Sequence, residues 1–498
     1  MSGLTLWGAL KEAARTRPDH PYLIGEEPST DLTYAALVSA GAGLGRTLGR
    51  SVGPGKAAAV LAGTPEAWAV LWAASQAAGT VTLCLDPSET DEALRSRWIA
   101  CGRPLVLADA PMRKRLSSWS ESPRVLGPED SDPAGIDAIS PLESGPAMVF
   151  YTSGTTGESL GVTLSHRGLL GNAAAVCRAL ALGADDRTLS PLAPHHIYGF
   201  SVLLCHLLER ATVVPENAFL YPQRTLERLK SLECTGFSGV AFHYRTLLER
   251  TDLVRCALPS LRYWTQAGEA MPVELTRGLL AAQPRVRLHL MYGQTEASPR
   301  ITMLDPPRAG AKPGSVGSPL EGVRLRIVDE EGREVPEGRT GEVVVGGEGV
   351  MLGYWDRPER TAEVLKDGQL RTGDLGYLDA DGDLYLTGRL RRFLKVGGRR
   401  VVPEEIERVL SELPGIRECA VLAWPDEVLG ERPLAVIAGE GLPPTEQVME
   451  RCRARLAPHQ VPVDVVALDK LSRAASGKID WAGVRRLVAG RVRKKEVR

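Results

Sequence analysis

The stretch Ala57–Leu85, AAAVLAGTPEAWAVLWAASQAAGTVTLCL, decides the fold class. Ala57–Leu61 is a short apolar run of strand length. Glu66–Ala78 is rich in alanine and tryptophan and reads as a helix. Thr80–Leu85 is a second short run with β-branched residues. Strand, helix and strand at this spacing make one crossover unit of a parallel sheet. Ala67–Leu85 is also the longest apolar region of the chain, but Ser75, Gln76 and Gly79 interrupt it. A membrane-spanning helix needs about 18 clean apolar residues, so the region reads as a buried helix followed by a strand.

Working outward, the alternation continues to about residue 300. Thr212–Val214, a helix around Arg224–Leu232, and Gly239–Phe242 suggest a second unit of the same kind. Between 323 and 345 the texture changes: VRLRIVDEEGREVPEGRTGEVVV alternates with period two and carries turn residues, which predicts antiparallel hairpins. Gly376–Leu386 carries the turn DADGD between apolar runs. After Gly388 comes the basic stretch LRRFLKVGGRRVV and a helix from Pro403 to about Leu413. Glu418–Ala423, Leu434–Ile437 and Val463–Leu468 then read as strands of a small α+β domain of about a hundred residues. The expected division is 1–390 and 391–498. The N-terminus reads as an amphipathic helix and not a signal peptide, and the basic tail Arg491–Arg498 as a solvated end.

Composition closes off several function classes. The chain has 498 residues, with 43% apolar, 24% charged and a net charge of −1. Those values fit a folded globular protein and give no global field for nucleic acid or anionic lipid. Aromatics are 5%, which weakens a base-stacking role further. The eight cysteines form no CxxC pair and no Cys/His cluster of zinc spacing, so reduced thiols in a cytoplasmic protein are expected.

Four segments carry chemistry. Tyr151–Val162, YTSGTTGESLGV, follows the apolar strand Ala147–Phe150 and precedes a helix beginning after Ser165. Two glycines and four hydroxyl residues fill Thr152–Gly157. Glycines let backbone N–H groups converge on an anion, and hydroxyls add donors, which is what a polyphosphate needs. No GK[ST] follows at Walker spacing. Met291–Ala297, MYGQTEA, follows the strand-like Val286–Leu290, at the sheet edge where ligands of open α/β folds bind. There Tyr292 can face a base or acyl group, Thr295 can bond a phosphate, and Glu296 can hold Mg²⁺. In Leu370–Leu375, LRTGDL, a carboxylate on a tight turn suits a vicinal diol such as ribose; an ordinary turn aspartate has the same signature. In SGKI, Ser476–Ile479, a lysine on a loop can bring a point charge into a distant site.

Taken together, YTSGTTG, MYGQTEA, RTGDLGYLDADGDLYLTGR, LKVGGRRVVPEEIE and SGKID, in that order, resemble the acyl-adenylate-forming superfamily. Its members include acyl-CoA synthetases, aryl-CoA ligases, peptide-synthetase adenylation domains and firefly luciferase. Weaker matches extend the resemblance over nearly the whole chain. It implies an α/β fold: a large N-terminal portion of two α/β subdomains plus a small distorted β-barrel, and a small mobile α+β C-terminal domain. It implies ATP and Mg²⁺ as cofactors and a two-step reaction on a small carboxylic acid. The acid becomes an acyl-adenylate with release of pyrophosphate, and a thiol then displaces AMP. No carrier-domain serine motif follows the small domain, so the expected acceptor is external: CoA, or the phosphopantetheine of a separate acyl carrier protein. Alternatives are a stand-alone adenylating enzyme with an amine or other non-thiol acceptor, and a catalytically impaired nucleotide-binding paralogue.

The same resemblance implies residue roles. Thr152, Ser153, Gly154, Thr155, Thr156 and Gly157 cradle the β- and γ-phosphates. Thr295 contacts the α-phosphate and Glu296 the Mg²⁺. Asp374 binds the ribose hydroxyls with Arg389 nearby. Gly268, Glu269 and Ala270 form the adenine wall, with Tyr292 beside it. Lys478 bridges carboxylate and α-phosphate, and His196 guards the acyl pocket. Tyr198, Phe200, Phe242, Ala267 and Gly268 are the candidate pocket residues. Being aromatic or small, they suit an aryl or a short-to-medium apolar acyl group. Leu192–Leu203 contains no acid to pair an α-ammonium, which disfavours ordinary α-amino acids. Arg391 stands at the hinge position, where Asp or Lys is usual, and the small domain is expected to turn about it. Leu160 stands where the family usually has a lysine near the polyphosphate. The loop amides and hydroxyls remain, so activity is expected to persist with weaker ATP binding. Titration of ATP against wild type and Leu160→Lys checks this: the variant should need less ATP, and an unchanged requirement would refute it.

Overall fold

The computed structural model describes residues 5–132, 145–152, 160–216, 219, 221–390, 394–396, 399–426, 429–473 and 479–496. The chain is α/β and divides into two compact units, residues 1–326, 344–371 and 382–384, and residues 327–343, 372–381 and 385–498.

The opening stretch folds as read. Strand Ala57–Leu61, helix Pro65–Ala77 and strand Val81–Cys84 form one parallel crossover. The Thr64 hydroxyl accepts a hydrogen bond from Ala67 N at 3.2 Å and caps the helix, whose proline at the first position needs no donor. Leu105–Ala108 pairs parallel on one side of Ala57–Leu61, and Pro146–Thr152 pairs parallel with Val81–Cys84. Next comes Leu160–Ser165, antiparallel to Pro146–Thr152, and then Gly353–Tyr354. The segment 153–159 therefore joins two arms of a hairpin. The helix after it, His166–Leu180, starts where the sequence placed it, with the Ser165 hydroxyl as its cap.

A second sheet in the same unit runs Ser315–Pro319, Thr302–Met303, Arg287–Tyr292, Tyr263–Gln266, Gly236–Gly239, Arg187–Ser190 and Thr212–Pro215, ending at Pro21–Leu23 and Leu32–Thr33. From Arg287–Tyr292 to Thr212–Pro215 neighbouring strands are parallel. One strand lies earlier than expected. Gly236–Gly239 is the strand, and Ala241–Arg250 is already helix. Gly236 serves packing inside the strand: a Cβ there would stand 2.1 Å from the Tyr263 ring. Trp68, Trp72 and Phe150 surround Phe200 of helix Ile197–Glu209 with ring centroids 5.5–5.9 Å away, an aromatic core between that helix and the first sheet.

In the second unit, residues 341–343, 372–378 and 385–389 lie side by side in that order. A five-stranded sheet follows, built on the long antiparallel pair Glu418–Asp426 and Gly430–Ala438. Its alternating residues fill two cores. Val421, Ala435 and Ile437 pack with Ile406, Leu410 and Val448. Leu422, Leu434 and Val436 pack with Val484 and Val488. All eight cysteines are free thiols. Among the described residues no helix is long and apolar enough to cross a membrane.

The first unit also buries histidines in roles that need the neutral ring. His166 Nδ1 accepts from Leu6 N at 3.2 Å, and His243 Nδ1 accepts from Val240 N at 3.1 Å. Burial pushes His166, His206 and His289 down to about 4 and His243 to about 3. The unfolded chain takes up these protons near pH 6.5 while the folded chain refuses them. Stability is thus full above about pH 6.5 and falls as the pH drops toward 4. Thermal melts from pH 8 to pH 4.5 should show a progressive decline in Tm below about pH 6.5, shallower in His243→Asn. A flat profile would contradict this.

Candidate active site

The strand Arg287–Tyr292 ends at the edge of the parallel sheet and passes into a single helical turn, Thr295–Ala297. Between them the backbone folds back on itself. Gly293 lies so close to Pro299 that a Cβ would stand 1.7 Å from the Pro299 carbonyl oxygen. Only glycine permits that approach, and it sets Thr295 and Glu296 half-buried at the strand end. Glu296 Oε1 accepts a hydrogen bond from the Tyr354 hydroxyl at 3.0 Å, and its backbone carbonyl accepts from Met351 N at 2.9 Å. Tyr354 pairs with Val162, and Trp355 N donates to Gly161 O at 2.7 Å. Glu296 is thereby fixed beside the strand that leaves the glycine- and hydroxyl-rich loop.

That loop supplies Ser153, Gly154, Thr155, Thr156 and Gly157, which lie outside the described residues, as do Arg391 and Lys478. Its flanks are described. The Thr152 hydroxyl lies 3.4 Å from Leu160 O, and Leu160 opens the second arm of the hairpin.

The AGEA turn follows strand Tyr263–Gln266. Gly268 has φ +93°. Gln266 Nε2 donates to the Glu269 carbonyl at 2.7 Å, and Glu269 Oε1 accepts from Phe242 N at 3.1 Å, at the start of helix Ala241–Arg250. A carboxylate on the first-turn amides of a helix satisfies an orphan donor and complements the dipole. Gly268, Glu269 and exposed Ala270 therefore form a braced rim at the C-terminal strand ends. Tyr292 is buried one strand away.

Tyr198, Ala267 and Phe242 also gather at these strand ends. The Tyr198 hydroxyl lies 3.0 Å from Thr265 O and 3.4 Å from Gly239 O, and Phe242 stands in the first turn of the next helix. Phe200 lies elsewhere, in the aromatic core of Trp68, Trp72 and Phe150.

His196 precedes helix Ile197–Glu209, and here the structure adds residues that sequence reading did not single out. Asp86, just after strand Val81–Cys84, lies 3.3 Å from His195 Nε2 and 3.8 Å from His196 Nε2. The two imidazoles are 4.5 Å apart. Burial alone would raise the Asp86 carboxyl. The His195 contact and hydrogen bonds from Ser88 overcome that and hold it well below the usual carboxylate range. The signal was split between a Leu-Asp-Pro turn and a His-His dipeptide more than a hundred residues apart.

In the second unit, Asp374 follows the left-handed Gly373 and is almost fully buried. Its carboxylate meets Arg389 Nε at 2.6 Å. Gly373 N donates to Glu342, and the Thr372 hydroxyl donates to Val343 O at 2.7 Å. A carboxylate engaged by one guanidinium keeps lone pairs that can accept further hydrogen bonds. The donor set in the first unit also fits a nucleotide with its cation. Gln294 Nε2 is buried without a partner among the described residues, in the same turn as Thr295 and Glu296. A buried orphan donor beside a carboxylate awaits an acceptor.

The AMP-binding enzyme family matches residues 10–355, and its C-terminal domain matches residues 405–478. A feruloyl-CoA synthase of Amycolatopsis is 34% identical over 362 residues, 71% of each chain. A sulfoacetate–CoA ligase of Cupriavidus necator is 32% identical over 496 residues, 95% of this chain and 96% of its own. Among solved structures, the o-succinylbenzoate coenzyme A synthetase of Bacillus subtilis in complex with ATP and magnesium superposes with a TM-score of 0.85. It is 26% identical and covers 97% of this chain and 99% of its own.

The geometry at Gly293 is directly testable. Gly293→Ala should lower the Tm of the first unit by several degrees, the effect of about 1–3 kcal/mol of local strain, and weaken ATP binding in calorimetry; unchanged values for both would contradict the close approach. The chain belongs to the AMP-binding enzyme family and, with its relatives, to the AMP-forming acid–thiol ligases.

Proposed function

We propose that the enzyme activates a small carboxylic acid with ATP and passes the acyl group to CoA. In the first step a carboxylate oxygen attacks the α-phosphorus. The bond to the β-phosphate bridge breaks and pyrophosphate leaves with its electron pair. In the second step a thiolate attacks the acyl carbon, the acyl–oxygen bond breaks, and AMP departs. The thiol proton goes to solvent. The observation that carries the reading is the Tyr354–Glu296 link, which fixes a carboxylate beside the hairpin whose first arm runs into the YTSGTTG sequence.

In this reading Thr152 and residues 153–157 cradle the β- and γ-phosphates, Thr295 meets the α-phosphate, and Glu296 takes the Mg²⁺. Asp374 and Arg389 take the ribose, and the Gly268–Ala270 rim with Tyr292 takes the adenine. Lys478 supplies a cation to the developing charge during adenylation. Such a contact contributes about 10²–10³-fold in rate. Rotation about Arg391, within a C-terminal domain of residues 391–498, then withdraws Lys478 and admits the thiol. The Asp86–His195–His196 cluster orients His196 at the mouth of the acyl pocket.

The test is pyrophosphate release from ATP and Mg²⁺ across a panel of aryl, fatty, dicarboxylic and amino acids, each with and without CoA. Turnover with one class only when CoA is present is the expected result. A burst that CoA cannot accelerate points to a carrier protein or amine acceptor, and no release with any acid removes the reading. Lys478→Ala should lower the rate of adenylation by about 10²–10³-fold with Tm unchanged.

A further inference from the structure

Arg300 is 2% exposed, one of the largest fully buried side chains. It follows the Thr295–Ala297 turn, and its backbone is pinned by Asn172, whose Nδ2 donates to Arg300 O at 2.6 Å. The guanidinium stacks on the Tyr198 ring with Cζ 4.5 Å from the centroid. Nη1 donates to the Ser201 hydroxyl, and Nε is buried with no partner. Among the described residues no carboxylate pairs with it. A buried guanidinium is expensive unless an anion compensates it. A tyrosine face and one hydroxyl recover only part of that cost.

The location says where the anion comes from. Tyr198 is itself half-buried and anchored to Thr265 and Gly239, the last residues but one and last of their strands. The unpaired cation therefore sits at the strand-end edge where ligands of parallel α/β sheets bind. It also lies on the chain turn that carries Thr295, the residue assigned to the reacting phosphate.

We infer that the activated acid carries a second anionic group, a carboxylate or a sulfonate, and that Arg300 is its receptor at the far end of the acyl pocket. The inference rests on the acid-activation reading and narrows it. Tyr198 and Ala267 alone suit an apolar acyl chain; Arg300 makes the distal end of the pocket cationic. An arginine suits this role because its fork can grip two oxygens of a planar or tetrahedral oxyanion. A neutral acid leaves that buried charge unmet, the condition under which polar sites discriminate most strongly.

The test uses matched pairs that differ in one charge: glutarate, adipate and terephthalate against their monomethyl esters, and 4-sulfobenzoate against 4-(methylsulfonyl)benzoate. Pyrophosphate release gives kcat/KM for each. In at least one pair the dianion should be favoured by about 10²–10⁴-fold. The carboxylate and sulfonate pairs separate the two sources of the anion. Arg300→Met should erase most of the ratio and Arg300→Lys retain part of it. Neutral members favoured in every pair overturn the inference while the ligase reading stands, and so does a ratio unmoved by Arg300→Met. Should Arg300→Met not fold, the wild-type ratios and Arg300→Lys decide. Failure of every acid, charged or neutral, would remove the ligase reading itself and the inference with it.

Discussion

The hydrogen bond between Tyr354 and Glu296, with the bond from Met351 N to Glu296 O beside it, ties together two sheets of the first unit. Glu296 stands on the helical turn that follows a strand of one sheet; Tyr354 is paired into the edge of another. The carboxylate cannot shift without disturbing both, and both carry segments suited to phosphates. A carboxylate held this way is pre-organised by backbone pairing and not by the rotamers of exposed side chains. The close approach of Gly293 to Pro299 completes the arrangement, since it fixes the turn on which Thr295 and Glu296 stand.

Much of this was legible in sequence where the signal is local. Thr295 and Glu296 share one heptapeptide with the end of the strand before them, and the glycines and hydroxyls of YTSGTTG are contiguous in sequence. Crossover units were legible because a buried parallel strand reads as a short apolar run. What sequence could not give was pairing at a distance. Tyr354 stands 58 residues from Glu296, and Asp86 meets His195 and His196 only because the first sheet brings the end of its strand to them. Arg300 adjoins a quoted motif, yet an arginine after Ser-Pro looks like a solvated turn. Its burial under Tyr198 is a property of tertiary packing. The strand Gly236–Gly239 lies earlier than Gly239–Phe242 for a related reason: Gly236 makes room for the Tyr263 ring, a contact between distant residues.

Polar groups inside the first unit differ in how fully they are satisfied. His166 and His243 have backbone donors as partners, and Asp86 has Ser88 and His195. These are satisfied and specify local structure. Gln294 and Arg300 are buried with unfilled hydrogen-bonding capacity. Both stand within a few residues of Glu296, where the acceptor atoms of a ligand can complete their hydrogen bonding.

The five-stranded sheet of the second unit carries hydrophobic cores on both of its faces, each closed by its own helices. Its cohesion is therefore a local matter, set by residues of that unit. One outcome concerns descent. Substitutions near Tyr198 and Arg300 fall in the first unit, outside those two cores. A lineage can thus take up substitutions around Tyr198 and Arg300 while the sheet of the second unit keeps its fold, and selection can act on the two units as separable traits.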